Sequence, residues 1–195
     1  MILLHIERTK KLKIKRLICR WILKVAGWTI GPDGGDIPKS VICVAPHTSN
    51  YDLTLGKLFY NALGKKAKFL MKKEWFFFPF NLIFKSMGGI PVNRGNASST
   101  TAMIAEEFDK YDSFHIAITP EGTRKRTKEW KKGFYYIALK ARVPIQVAYI
   151  DYGKKEIGIK ETFYPIGDAD REIHYIRNLY NGIKGLHDRN FAKVK

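Results

Sequence analysis

The chain has 195 residues, 45% of them hydrophobic, with 35 Lys and Arg against 18 Asp and Glu, a formal net charge of +17. That length and apolar content suit one domain with a full core, and no repeat, low-complexity tract or long linker divides the chain. Two cysteines, Cys19 and Cys43, and five scattered histidines exclude a disulfide scaffold and a zinc cluster, while the excess of positive charge points to a polyanionic partner or surface.

The first predicted element is a helix over 11–28. Its apolar residues Ile14, Leu17, Ile18, Trp21, Ile22 and Val25 recur at one-face spacing, and Lys11, Lys13, Lys15, Arg16, Arg20 and Lys24 point elsewhere. A basic amphipathic helix with tryptophan is the pattern of a segment lying in a membrane interface, and equally of a helix packed on a core with a solvated charged face. Charges interrupt every apolar run before the ~20 residues that a bilayer crossing needs, so the segment reads as neither a signal peptide nor a span.

A buried strand is expected over 41–45, followed by a helix over 50–63 capped by Ser49 or Asn50. A strand over 67–71 leads into Trp75, Phe76, Phe77 and Phe78, with Lys72, Lys73 and Lys85 at the flanks, which suits either a lipid headgroup boundary or a buried segment. Strands then follow over 90–93, 114–119, 145–151 and 156–163, and helices over 98–111, 131–141 and 169–180. Strands alternating with helices indicate an α/β fold: a single domain with a mixed, mostly parallel sheet flanked by helices, preceded by an N-terminal basic amphipathic helix. The expected division is a helical arm over 1–30 and a domain over 31–195.

His47 falls in the turn after the first strand and Asp52 in the first turn of the next helix. Five residues of continuous helix would rotate their side chains apart by roughly 140°, so the turn is what lets them meet. A carboxylate at a helix N-terminus stays ionised, and its hold on one imidazole nitrogen leaves the other free to accept a proton, which is the task of a general base. Two further strands end near arginines, Arg94 and Arg124, and groups just past strand ends converge on one crevice in open α/β sheets. Guanidinium groups there favour a phosphate, whose oxygens accept two parallel hydrogen bonds. Cys43, within the apolar strand, is a core residue.

The ordered set His47-x4-Asp52, Gly89-Ile-Pro-Val-Asn-Arg94, Pro120-Glu-Gly-Thr-Arg124 and Val143-Pro-Ile-Gln-Val147 resembles the four motifs of the glycerolipid acyltransferase superfamily. The likeness spans roughly 41–165. It implies acyl transfer from a thioester, acyl-CoA or acyl carrier protein (ACP), to a hydroxyl of lysophosphatidic acid or a related lysolipid, with no covalent acyl-enzyme, no metal and no cofactor. By position it implies His47 as base and Asp52 as its orienting partner. Arg94 and Arg124 would bind the acceptor's phosphate, with Glu121, Gly122 and Thr123 shaping that pocket. Trp21, Trp28, Trp75, Phe76, Phe77 and Phe78 are the expected contacts to an anionic membrane, placing the protein in the cytoplasm, peripheral on the inner face of the cell membrane.

Pro46 before the histidine and Gln146 in the fourth motif depart from the family pattern, which keeps O-acylation of a non-phosphate lyso-aminolipid open as an alternative. A second alternative, from another class, is a non-catalytic lipid- or nucleic-acid-binding basic protein. No nucleic-acid-binding module is recognised and Trp75 to Phe80 is too apolar for a base-stacking groove, so no nucleic acid partner is expected.

Overall fold

The structure, a computed structural model, describes residues 2–92 and 97–192, without the side chains of 2–6, 8, 97 and 98. In chain order its elements are α1 (Ile2–Val25), β1 (Thr29–Ile30), β2 (Lys39–Ala45), α2 (Tyr51–Ala62), β3 (Lys68–Lys72), α3 (Phe80–Ser86), β4 (Gly89–Val92), α4 (Ala97–Glu107), β5 (Phe114–Ile118), α5 (Gly133–Ala141), β6 (Ile145–Asp151), β7 (Glu156–Phe163) and α6 (Ala169–Asn178).

The seven strands form one sheet in the order β1-β7-β6-β2-β5-β3-β4. Every pairing is parallel except β6 with β7. β6 is buried at all seven positions, as a strand must be when helices cover both faces, and its apolar run follows from that. On one face Val41, Cys43 and Ala45 of β2 join Ile104, Phe134, Ile137 and Ile176 from α4, α5 and α6. On the other, Ile42 packs with Phe59 and Tyr60 of α2 and with Ile150 and Ile157.

β2 is the strand from which the chain departs first to one side, through β3, β4 and β5, and later to the other, through β6 and β7. The loops at the carboxyl ends of β2 and its two neighbours therefore share one rim, the place where open α/β sheets bind ligands. At the opposite end, Gln146 is fully buried and its amide oxygen accepts from Ser40 Oγ at 3.0 Å and from the Tyr60 hydroxyl at 2.8 Å. The polar departure from the fourth motif is thus a satisfied structural network, remote from the strand ends that carry His47 and Glu121.

α1 begins earlier than its periodicity predicts and stops three residues sooner, at Val25. Gly27 takes a left-handed φ of 76°, and the N–H groups of Gly27 and Trp28 close back onto the Lys24 and Leu23 carbonyls, a glycine-terminated helix end. α1 docks on α2 through Cys19 and Leu23 against Ala62. The stripe read from the sequence faces away from that contact, with Leu17, Trp21 and Val25 each about two-thirds exposed. Of its two readings, the core-packed one does not hold for that stripe. Trp28 and Phe76 turn inward, Trp28 edge-on to Tyr152 and Phe76 against Phe84, whereas Trp21, Trp75, Phe77 and Phe78 are exposed.

Candidate active site

β2 delivers the chain into the turn 46–50, and the first residue of consequence is His47. Its Nδ1 lies 3.0 Å from Asp52 Oδ2, with the imidazole side chain 21% exposed and the carboxylate 2% exposed. The same Oδ2 accepts the N–H groups of Thr48 at 3.0 Å and Ser49 at 2.9 Å, and Oδ1 accepts the Tyr152 hydroxyl at 2.7 Å. Asp52 thus folds the turn around itself, which explains how side chains five residues apart meet.

Burial works against ionisation of Asp52, but the hydrogen bonds from His47, the Ser49 N–H and Tyr152 outweigh it and hold the carboxyl below its usual value. An ionised Asp52 accepts the proton on His47 Nδ1 and leaves Nε2 without one, the tautomer that a general base requires. The turn is pinned from the far end of the chain as well, where the His187 N–H donates to Thr48 Oγ1 at 3.2 Å.

β5 lies beside β2 in parallel register, so the turn Pro120-Glu-Gly-Thr-Arg124 emerges next to His47. Glu121 is buried and its Oε2 accepts the His47 N–H at 2.8 Å. It supports the His47 turn and does not line the groove. Gly122 takes a φ of 63°, and a side chain there would press on Lys131. Arg124 returns to donate to Asn50 Oδ1. Cys43 is fully buried, and burial pushes its thiol well above the usual range, consistent with a core role.

Burial pushes the Glu121 carboxyl up to about 8; the His47 N–H opposes that rise and the charge of Asp52 adds to it. A group whose folded pKa is raised stabilises the fold most below its unfolded value near 4.5 and loses that contribution as pH climbs through about 8. Glu121→Gln keeps an acceptor for the His47 N–H and carries no charge. The variant should therefore melt several degrees above the wild type at pH 8.5 and alongside it near pH 4.5. Parallel Tm curves across that range would show that Glu121 carries no such strain.

His47, Asn50, Asp52, Thr123 and Arg124 open onto a groove of about 1450 Å3. Its walls carry Lys57, Lys68, Lys72, Lys131, Lys132 and Lys140 beside apolar Leu70, Met71, Trp75, Phe84 and Val92. The groove therefore brings together an imidazole–carboxylate pair, cationic groups and apolar side chains. Arg94 lies outside the described residues. Among those described, no three His, Cys, Asp or Glu side chains gather as a metal-binding set. Tyr152 is the contributor that the sequence did not reveal; it stands 100 residues from Asp52, and no local pattern marks it.

A family model described as Acyltransferase matches residues 34–151. The human 1-acyl-sn-glycerol-3-phosphate acyltransferase beta is 25% identical over 141 residues, 69% of this chain and 50% of that protein, so the chain spans about half the length of this curated relative. The fold is similar to the crystal structure of the 1-acyl-sn-glycerophosphate (LPA) acyltransferase, PlsC, from Thermotoga maritima. The TM-score is 0.58 at 19% identity, over 87% of this chain and 77% of that one.

Proposed function

This chain belongs to the acyltransferase family, and from that membership we propose that it moves a fatty acyl group from acyl-CoA or acyl-ACP to a hydroxyl of lysophosphatidic acid or a related lysolipid. The observation that carries this reading is the His47 imidazole held at 3.0 Å by a buried, ionised Asp52 on the wall of a cationic and apolar groove.

In the reaction, His47 Nε2 takes the proton of the acceptor hydroxyl as that oxygen attacks the thioester carbonyl. The tetrahedral intermediate collapses with cleavage of the C–S bond, and the imidazolium returns its proton to the departing thiolate. Asp52 stabilises the imidazolium through both stages. Arg124 binds the acceptor's phosphate, supported by its place on the same groove as His47, and the apolar wall receives an acyl chain.

Attachment to lipid is peripheral. Supporting this, the stripe of α1 and the side chains of Trp75, Phe77 and Phe78 are exposed beside lysines, an arrangement that suits an anionic bilayer surface. No helix of the described residues is long and apolar enough to cross a membrane.

Charge-assisted hydrogen bonds contribute about 1.5–3 kcal/mol each, so Arg124→Ala should raise the KM for lysophosphatidic acid roughly ten- to a hundredfold. The KM for a neutral acceptor such as a monoacylglycerol should change little. Steady-state kinetics with both acceptors tests this. An unmoved KM for the phosphate acceptor removes Arg124 from that role and favours a lyso-aminolipid acceptor.

A further inference from the structure

The carboxyl ends of both neighbours of β2 reach the His47 turn. β5 contributes Glu121, which takes a backbone N–H. β6 contributes Tyr152, just past its last residue, Asp151, and one residue beyond the stretch matched by the family model. The Tyr152 hydroxyl donates to Asp52 Oδ1 at 2.7 Å, the one carboxylate oxygen that the turn itself leaves open.

The tyrosine is itself fixed. Its N–H donates to the Lys184 carbonyl at 2.8 Å. The turn around it is closed by Asp151 Oδ1, which accepts from the Gly153 N–H at 2.9 Å and the Lys154 N–H at 3.2 Å. Its ring meets Trp28 edge-on, with centroids 5.1 Å apart and planes at 86°. A hydroxyl held by backbone and ring contacts at once is preorganised for its acceptor.

We infer that Tyr152 is a positioning residue for the His47–Asp52 pair, fixing the rotation of the Asp52 carboxylate so that Oδ2 stays on His47 Nδ1. The inference rests on the proposed role of His47 as base. Without the tyrosine, Asp52 Oδ1 loses its donor, and the carboxylate becomes both freer to rotate and more basic. Burial, together with the bond to Asp52, raises the phenol well above its ordinary range, so it stays protonated and donates throughout the working pH range. The titratable groups facing Asp52 are His47, Tyr152 and Glu121, whose carboxyl the Asp52 charge helps to keep protonated.

Tyr152→Phe tests this, because phenylalanine keeps the ring on Trp28 and removes only the hydroxyl. The variant should retain the wild-type Tm to within a few degrees and lose about tenfold in kcat, with both KM values changed less than about twofold. The acid limb of its kcat–pH profile should move to higher pH. In an Asp52→Asn background the same substitution should cost less than about twofold further, since its effect passes through the carboxylate. An acid limb that stays at the wild-type position overturns the inference whether or not kcat falls, because a general loss of packing would lower turnover at every pH alike. An inactive His47→Ala beside an unaltered Tyr152→Phe sinks this inference alone; an active His47→Ala sinks the reading on which it rests.

Discussion

His47→Ala should lower acyl transfer by at least ~10²–10⁴-fold, the contribution of a positioned general base, while the protein stays folded. The fold survives because the imidazole makes a single hydrogen bond with its ring, and the backbone N–H of residue 47 can still donate to Glu121. Asp52 keeps three of its four donors, the N–H groups of Thr48 and Ser49 and the Tyr152 hydroxyl. The substitution strips Asp52 and Glu121 of no more than one donor between them, so Tm should shift by only a few degrees. Stopped assays of product formation, read beside a thermal melt, check both halves. Turnover near the wild-type level would remove His47 from the chemistry.

Asp52→Asn is expected to have the next largest effect, and the geometry fixes how it arises. Three donors converge on Oδ2 and one hydroxyl on Oδ1. An asparagine therefore places its amide oxygen among the three N–H groups and turns its NH2 toward the Tyr152 oxygen, which can accept. The imidazole keeps its tautomer and the turn keeps its shape. What disappears is the negative charge that stabilises the imidazolium, and a charge-assisted hydrogen bond contributes about 1.5–3 kcal/mol. The expected result is a loss of roughly 10- to 100-fold in kcat, with acceptor KM within about twofold. A melt lowered by many degrees, with activity lost in proportion, would make Asp52 structural instead.

The strands were legible where the chain is periodic and apolar. The predicted runs at 41–45 and 145–151 fall on β2 and β6, whose buried positions leave an apolar record, and the run at 156–163 matches β7, which is buried only at Ile157, Gly158 and Ile159. β1 spans two residues, too few for any period to show. α3 is seven residues long and buries none of them, too short a stretch for a helical period to show. The end of α1 was overrun because Trp28 continues the apolar spacing, whereas Gly27 has already turned the chain toward β1.

The contact of His47 with Asp52 was legible because the two residues sit in one turn. The part taken by Glu121 was not, since its acceptor oxygen meets a backbone N–H 74 residues away, a contact created by pairing β2 with β5. Tyr152 was hidden for the same reason on the other side of β2. The Asp52 bond depends on strand order, and strand order is not written in local spacing.

The most direct measurement is mass spectrometry of the products formed from purified protein, an acyl-CoA and lysophosphatidic acid presented in anionic vesicles. The expected product is phosphatidic acid, heavier than the acceptor by the acyl group less one hydrogen, with one free thiol released per molecule formed and none formed by His47→Ala. Thiol release accompanied only by free fatty acid, or an unmodified acceptor when either acyl-CoA or acyl-ACP is the donor, would contradict acyl transfer to a lysolipid hydroxyl.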